Sequence, residues 1–128
     1  METFGVIGVG NIASAILTGV INSGYITPEK IFIYDPDCTK TQAFATAYGV
    51  QVCNSAADVV NSSKYVLIAV KPSVVESVLK TVSGYITNQC VISVAAGISI
   101  SFILSLLPEG TSIIRAMPNT PLMYGKAL

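Results

Sequence analysis

The sequence predicts an α/β fold, a doubly wound, mostly parallel sheet with helices on both faces, and three observations carry that reading. The chain has 128 residues, the size of a single domain that can bury a substantial core. Apolar residues make up 52% of it and charged residues only 11%, a balance expected when a sheet is covered on both faces and little chain is left for polar surface. Short apolar runs alternate with amphipathic stretches along the chain, the pattern of repeated strand and helix units.

Taken in order, Phe4 to Gly8 reads as the first strand. From Ile12 the positions Ala13, Ile16, Leu17, Val20 and Ile21 repeat at helical spacing, and Gly24 ends that helix. Ile31 to Tyr34 is a second strand, followed by a helix from an Asp37 N-cap to Tyr48, closed by Gly49. Val50 to Cys53 is a short third strand, and Ser55 with Asp58 has the spacing of a capping box for a helix reaching Ser62. Tyr65 to Val70 is wholly apolar, as a central parallel strand should be. Pro72 opens a helix with Val74, Val75, Val78, Leu79 and Val82 on one face, ending before Gly84. Val91 to Ala95 is strand five, Ser99 caps a helix with the stripe Ile100, Ile103, Leu104 and Leu107, and Thr111 to Met117 is strand six. Pro118 to Leu128 carries no packing pattern of its own.

Composition excludes several functions. Seven Lys plus Arg balance seven Asp plus Glu, so no basic face exists to displace counterions from a nucleic acid, and none is expected as a partner. The chain has no histidine, which rules out a Ser-His-Asp hydrolase and removes the commonest metal ligand. Cys38, Cys53 and Cys90 are odd in number and form no CxxC pair. Neither a disulfide framework nor a metal site follows, and a reduced, cytoplasmic compartment fits best. The apolar start from Phe4 to Ile21 lacks a basic flank and is interrupted by Asn11, Ser14 and Thr18. No stretch has the roughly 20 uninterrupted apolar residues of a membrane span.

Gly8-Val9-Gly10-Asn11-Ile12-Ala13 has the form GxGxxA between a strand and a helix, the setting in which this otherwise weak motif binds a dinucleotide in a Rossmann-type fold. Gly8 permits the tight turn, Gly10 lets backbone approach a pyrophosphate, and Ala13 allows helix and strand to pack closely. The amides of Asn11 and Ile12 at the helix start offer partial positive charge to the phosphates. The alternative is a plain strand-to-helix turn without a ligand. Asp35, ending the second strand, stands near where an acidic residue accepts hydrogen bonds from the adenosine ribose. A carboxylate there repels a 2'-phosphate and favours NADH, yet Asp35-Pro36-Asp37 is also good turn chemistry. Lys40 on the next helix offers a phosphate contact or is a solvated surface cation. NADPH and NADH both stay open.

Three further segments stand at or after strand ends: Ala69-Val70-Lys71-Pro72, Ala95-Ala96-Gly97, and Arg115-Ala116-Met117-Pro118-Asn119-Thr120-Pro121. With the glycine turn, this set resembles the N-terminal dinucleotide-binding domain of pyrroline-5-carboxylate reductases, over essentially the whole chain. The MPNTP run after AVKP and AAG is far more specific than the glycine turn. The resemblance implies that Ala69, Val70, Lys71 and Pro72 line the cofactor beyond its pyrophosphate, that Asn54 contacts the adenosine, and that Ala96 and Gly97 lie by the nicotinamide. Met117, Pro118, Asn119 and Thr120 would border the place where substrate meets cofactor. Plainer readings stand beside these: Lys71 as a surface cation, Asn54 as a neighbour of an N-cap, Gly97 as a turn residue, and Pro-Asn-Thr-Pro as a rigid exit from the domain.

The implied reaction is NADPH- or NADH-dependent reduction of a small imine, 1-pyrroline-5-carboxylate, to L-proline. A protonated imine is already a good electrophile, so a chain without histidine suits this chemistry, and positioning is the main demand. The family continues into a helical second domain that forms its homodimer or higher oligomer and completes the active site. The expectation is therefore that residues 1–128 are the NAD(P)-binding Rossmann domain, binding cofactor without turnover by themselves, with no catalytic residue assigned. A stand-alone dinucleotide-binding module and another dehydrogenase sharing this domain are the alternatives.

Overall fold

The computed structural model describes residues 2–116. Over that span it forms a six-stranded sheet in the order β3-β2-β1-β4-β5-β6, every neighbouring pair parallel. The strands are β1 (Phe4–Ile7), β2 (Ile31–Tyr34), β3 (Gln51–Val52), β4 (Tyr65–Ile68), β5 (Cys90–Ser93) and β6 (Ser112–Arg115). The helices are α1 (Asn11–Ser23), α2 (Cys38–Tyr48), α3 (Ala56–Ser62), α4 (Pro72–Val82) and α5 (Ile100–Ser105), with single 3-10 turns at Pro28–Lys30 and Ser83–Tyr85. No helix among the described residues is long and apolar enough to cross a membrane.

Two apolar cores, one on each face, explain why the central strands are apolar throughout. In β1, Phe4 and Val6 pack with α1 and α2 through Leu17 and Phe44. Ile7 points the other way, into a cluster with Val59 and Val60 of α3 and Val75, Leu79 and Val82 of α4. In β4, Leu67 joins the first cluster while Val66 and Ile68 join the second. The alternation is the ordinary period of two of a strand, made invisible in sequence because both faces are covered.

The expected caps are present. Asp37 accepts from the Thr39 amide at α2 (3.1 Å), Ser55 from the Asp58 amide at α3 (3.1 Å), and Ser99 from the Phe102 amide at α5 (3.1 Å). Departures concentrate at strand ends. Gly8, Ala69, Val70, Val94 and Ala95 lie beyond the ends of β1, β4 and β5 rather than inside them, because there the chain leaves the ladder to turn into the next helix. β3 shrinks to Gln51–Val52, both exposed, with Val50 buried before it. The α5 stripe also differs: Ile103 and Leu107 are buried, but Ile100 is 40% and Leu104 39% exposed. A helix of six residues over the last strands of the sheet can bury only one side of one turn. The expected end of the sixth strand at Met117 lies outside the described residues.

Candidate functional site: a groove along the carboxyl edge of the sheet

From β1 the strand order runs outward both ways, through β2 to β3 and through β4 to β6. Beyond the carboxyl ends of β1 and β4 the loops diverge and leave a crevice, the usual ligand position in open parallel sheets. Three recesses open here, and Gly10 and Lys71 border all of them. One, of about 250 Å3, lies between the end of β2 and α4, with Tyr34, Asp35, Pro36, Val70, Val74 and Val78 on its walls. A second, of about 420 Å3, reaches toward the end of β5 past Ile12, Ala69, Pro72, Val94, Ala95 and Ala96. The third, of about 550 Å3, lies between α1 and α2, bordered by Asn11, Ser14, Lys40, Ala43, Phe44 and Ala47.

The two glycines of the turn answer to different demands. Gly8 has φ +97°, and a Cβ there would stand 2.9 Å from the carbonyl carbon and oxygen of Ala69. Backbone geometry alone requires glycine at that position. Gly10 has φ −97° and extended backbone, which any residue adopts, and a Cβ added to it would meet nothing within 4 Å. Nothing in the fold requires glycine there. No side chain caps α1, so the amides of its first turn face the groove without a capping oxygen, and the helix dipole adds partial positive charge at that end. Lys71, the exposed N-cap of α4, and Lys40 bring cations to the same opening.

Of the residues singled out from sequence, Gly8, Gly10, Asn11, Ile12, Asp35, Ala69, Val70, Lys71, Pro72 and Ala96 border this groove. Ile12 is half exposed, at 50%, an apolar side chain left in the opening. Asn54, exposed after β3, and Gly97, exposed with φ +75°, border none of the three recesses. Met117, Pro118, Asn119 and Thr120 lie outside the described residues. The walls from Tyr34, Ala56, Val74 and Val78 escaped the sequence reading. Val74 and Val78 sat in the α4 core stripe, and only a 39% exposed Val74 separates groove wall from core.

The two oxygens of Asp35 already have partners within the chain: Oδ2 accepts from the Val9 amide and Oδ1 from the Asp37 amide, each at 2.8 Å. At α2 the Thr39 hydroxyl and then its amide hold the Asp37 carboxyl below its ordinary pKa, so this cap is an anion at neutral pH. Cys38, Cys53 and Cys90 are free thiols. Burial and then the charge of Asp58 push the Cys53 thiol up, which leaves it a poor nucleophile.

Comparison with known proteins agrees with this geometry. The family described as "NADP oxidoreductase coenzyme F420-dependent" matches residues 3–97. The chain is 41% identical over 120 residues to pyrroline-5-carboxylate reductase 3 of Danio rerio, covering 93% of this chain and 41% of that protein. It is 36% identical over 128 residues to the pyrroline-5-carboxylate reductase of Escherichia coli (strain K12), covering 99% and 48%. The chain thus spans about half the length of the curated relatives it matches. Among solved structures, a pyrroline-5-carboxylate reductase from Coxiella burnetii superposes with a TM-score of 0.88 at 31% identity, over 94% of this chain and 45% of that one. The Plasmodium falciparum pyrroline carboxylate reductase, solved with NADP bound, superposes with a TM-score of 0.80 at 26% identity, over 94% and 43%. A doubly wound sheet, a glycine turn at the carboxyl edge of β1 and matches over nearly the whole chain lead to one conclusion: this chain belongs to the NADP oxidoreductase, coenzyme F420-dependent, family and is similar over its length to part of the pyrroline-5-carboxylate reductases.

Proposed function

We propose that this chain is the dinucleotide-binding part of a pyrroline-5-carboxylate reductase that uses NADPH or NADH to convert 1-pyrroline-5-carboxylate to L-proline. The observation that carries the reading is Gly10. The N-cap position of α1 is better filled by Asn, Asp or Ser than by glycine, and here neither φ nor packing requires glycine. What it provides is room beside the uncapped start of α1, where a pyrophosphate would accept hydrogen bonds from the amides of Asn11 and Ile12. The recess between β2 and α4 has the apolar walls, Val70, Val74 and Val78, suited to an adenine. The recess toward β5, with Ile12, Pro72, Val94 and Ala96, suits the nicotinamide end.

When bound, the reduced nicotinamide supplies the hydride that adds to the imine carbon of a protonated C=N bond. The part of this chain is to bind, orient and shield, through the α1 amides, Lys71 and the apolar recess walls. Met117, Pro118, Asn119 and Thr120 stand next to the substrate in this reading. In this reading the site is completed by a second domain that also forms a homodimer or higher oligomer, and the enzyme works in the cytoplasm. Calorimetric titration with NADPH and NADH, followed by an assay of cofactor oxidation with the imine, tests the reading. Nucleotide bound without turnover in the full-length protein would leave only a binding module. Turnover of 2-hydroxy acids instead of the imine would move the chain to another dehydrogenase.

Lys40 borders both the β2–α4 recess and the recess between α1 and α2, beside the expected position of the adenosine ribose. We assign it the 2'-phosphate of NADPH. Because it is exposed, its contact is screened and contributes about 1 kcal/mol. Lys40→Ala is expected to weaken NADPH roughly fivefold while changing NADH less than about twofold. Titration of both nucleotides reads the ratio, and equal losses would remove Lys40 from the site.

A further inference from the structure

Two backbone hydrogen bonds flank the glycine turn: the Gly8 amide donates to the Tyr34 carbonyl (2.8 Å) and the Ala69 amide to the Ile7 carbonyl (2.9 Å). Both extend the strand ladders and would form with almost any sequence. The Val9 amide differs, since its acceptor is a side chain 26 residues away, Oδ2 of Asp35 at 2.8 Å. The other oxygen of the same carboxylate accepts from the Asp37 amide at 2.8 Å, and Asp37 in turn caps α2. One carboxylate therefore ties the turn after β1 to the start of α2, using charge-assisted bonds, the stronger kind. Its orientation is set by two backbone groups.

We propose that Asp35 is a positioning residue, whose carboxylate clamps Val9 and so aims the α1 amides at the phosphates of the dinucleotide, and that it does not choose between NADH and NADPH. This rests on the dinucleotide reading of the groove. A Val9 amide held by Asp35 is not free to swing toward a ligand, and it fixes the backbone that leads into Gly10 and Asn11. The phosphates, common to both nucleotides, feel that constraint equally. A ribose reader would act differently, because its carboxylate meets a hydroxyl in one nucleotide and a 2'-phosphate in the other.

The test measures hydrogen exchange of single amides by NMR in the nucleotide-free protein, together with NADH and NADPH affinities, for the wild type, Asp35→Ala and Asp35→Asn. In Asp35→Ala the Val9 amide should exchange at least about tenfold faster while Val6 and Leu67 in the central strands keep their protection. Both affinities should fall by a similar factor, on the order of tenfold or about 1.4 kcal/mol. Asp35→Asn, nearly isosteric and with one acceptor oxygen left, should fold even if the alanine variant does not, with smaller losses and an unchanged ratio. Unaltered Val9 exchange would overturn the clamp. So would a rise in NADPH affinity with a fall in NADH affinity, the signature of a ribose reader. A wild-type protein that binds neither nucleotide would defeat the dinucleotide reading instead, while Val9 exchange would still report whether the clamp exists.

Discussion

Gly10→Glu should leave the fold intact and abolish nucleotide binding. A Cβ at this position meets nothing within 4 Å and the backbone is extended, so a side chain is accommodated without strain. Gly10 is the N-cap of α1, where glycine is only moderately favoured, so the change in stability should be small. The glutamate would project into the space that three recesses share, where a pyrophosphate must lie against the α1 amides. It brings bulk and a negative charge to the one place where the ligand is most negative. The expected loss is more than about hundredfold in affinity for NADPH and NADH alike, at least roughly 2.7 kcal/mol. Calorimetry gives the affinities and thermal unfolding the stability. A folded variant with wild-type affinity would show that the phosphates do not lie at Gly10.

Gly8→Ala, two residues away, has the opposite character. Its φ of +97° is a conformation in which a Cβ costs on the order of 1–2 kcal/mol, and the added atom would stand 2.9 Å from the backbone of Ala69. Ala69 cannot yield cheaply, because its amide is bonded to the Ile7 carbonyl at 2.9 Å and it follows directly on β4 at the centre of the sheet. Overpacking against fixed structure adds about 1–3 kcal/mol. The sum, roughly 2–5 kcal/mol, should lower the unfolding midpoint by on the order of 10 °C and weaken nucleotide binding as a secondary effect. Denaturation of the two variants side by side separates the roles. Equal stability of Gly8→Ala and the wild type would mean that the turn relaxes in a way the packing around Ala69 forbids.

The helix starts were legible because caps are local. Asp37, Ser55 and Ser99 each bond an amide two or three residues on, and no distant group enters. The strands were legible for a related reason: β1 and β4 are buried on both faces and read as unbroken apolar runs. Strand ends were read too long where Val70 and Ala95 continue the apolar run past the last ladder residue. An apolar wall of a ligand groove and an apolar core residue are the same letters. Val74 shows this from the other side, sharing the stripe of α4 while facing the groove.

The sequence by itself determined the alternation of strands and helices, the place of the glycine turn between the first strand and first helix, and the family resemblance carried by AVKP, AAG and MPNTP. Each depends on residues within a few positions of one another, through backbone propensity, capping and hydrophobic period. Only the tertiary structure decided the order β3-β2-β1-β4-β5-β6, which brings the loops after β1, β2, β4 and β5 to one crevice. It alone separated Gly8, whose φ and contacts demand glycine, from Gly10, where neither backbone nor packing requires it. It also gave the Asp35 carboxylate its partner at Val9, 26 residues away. Such roles arise from what lies across a gap in space, and packing between distant segments, not local pattern, sets that neighbour.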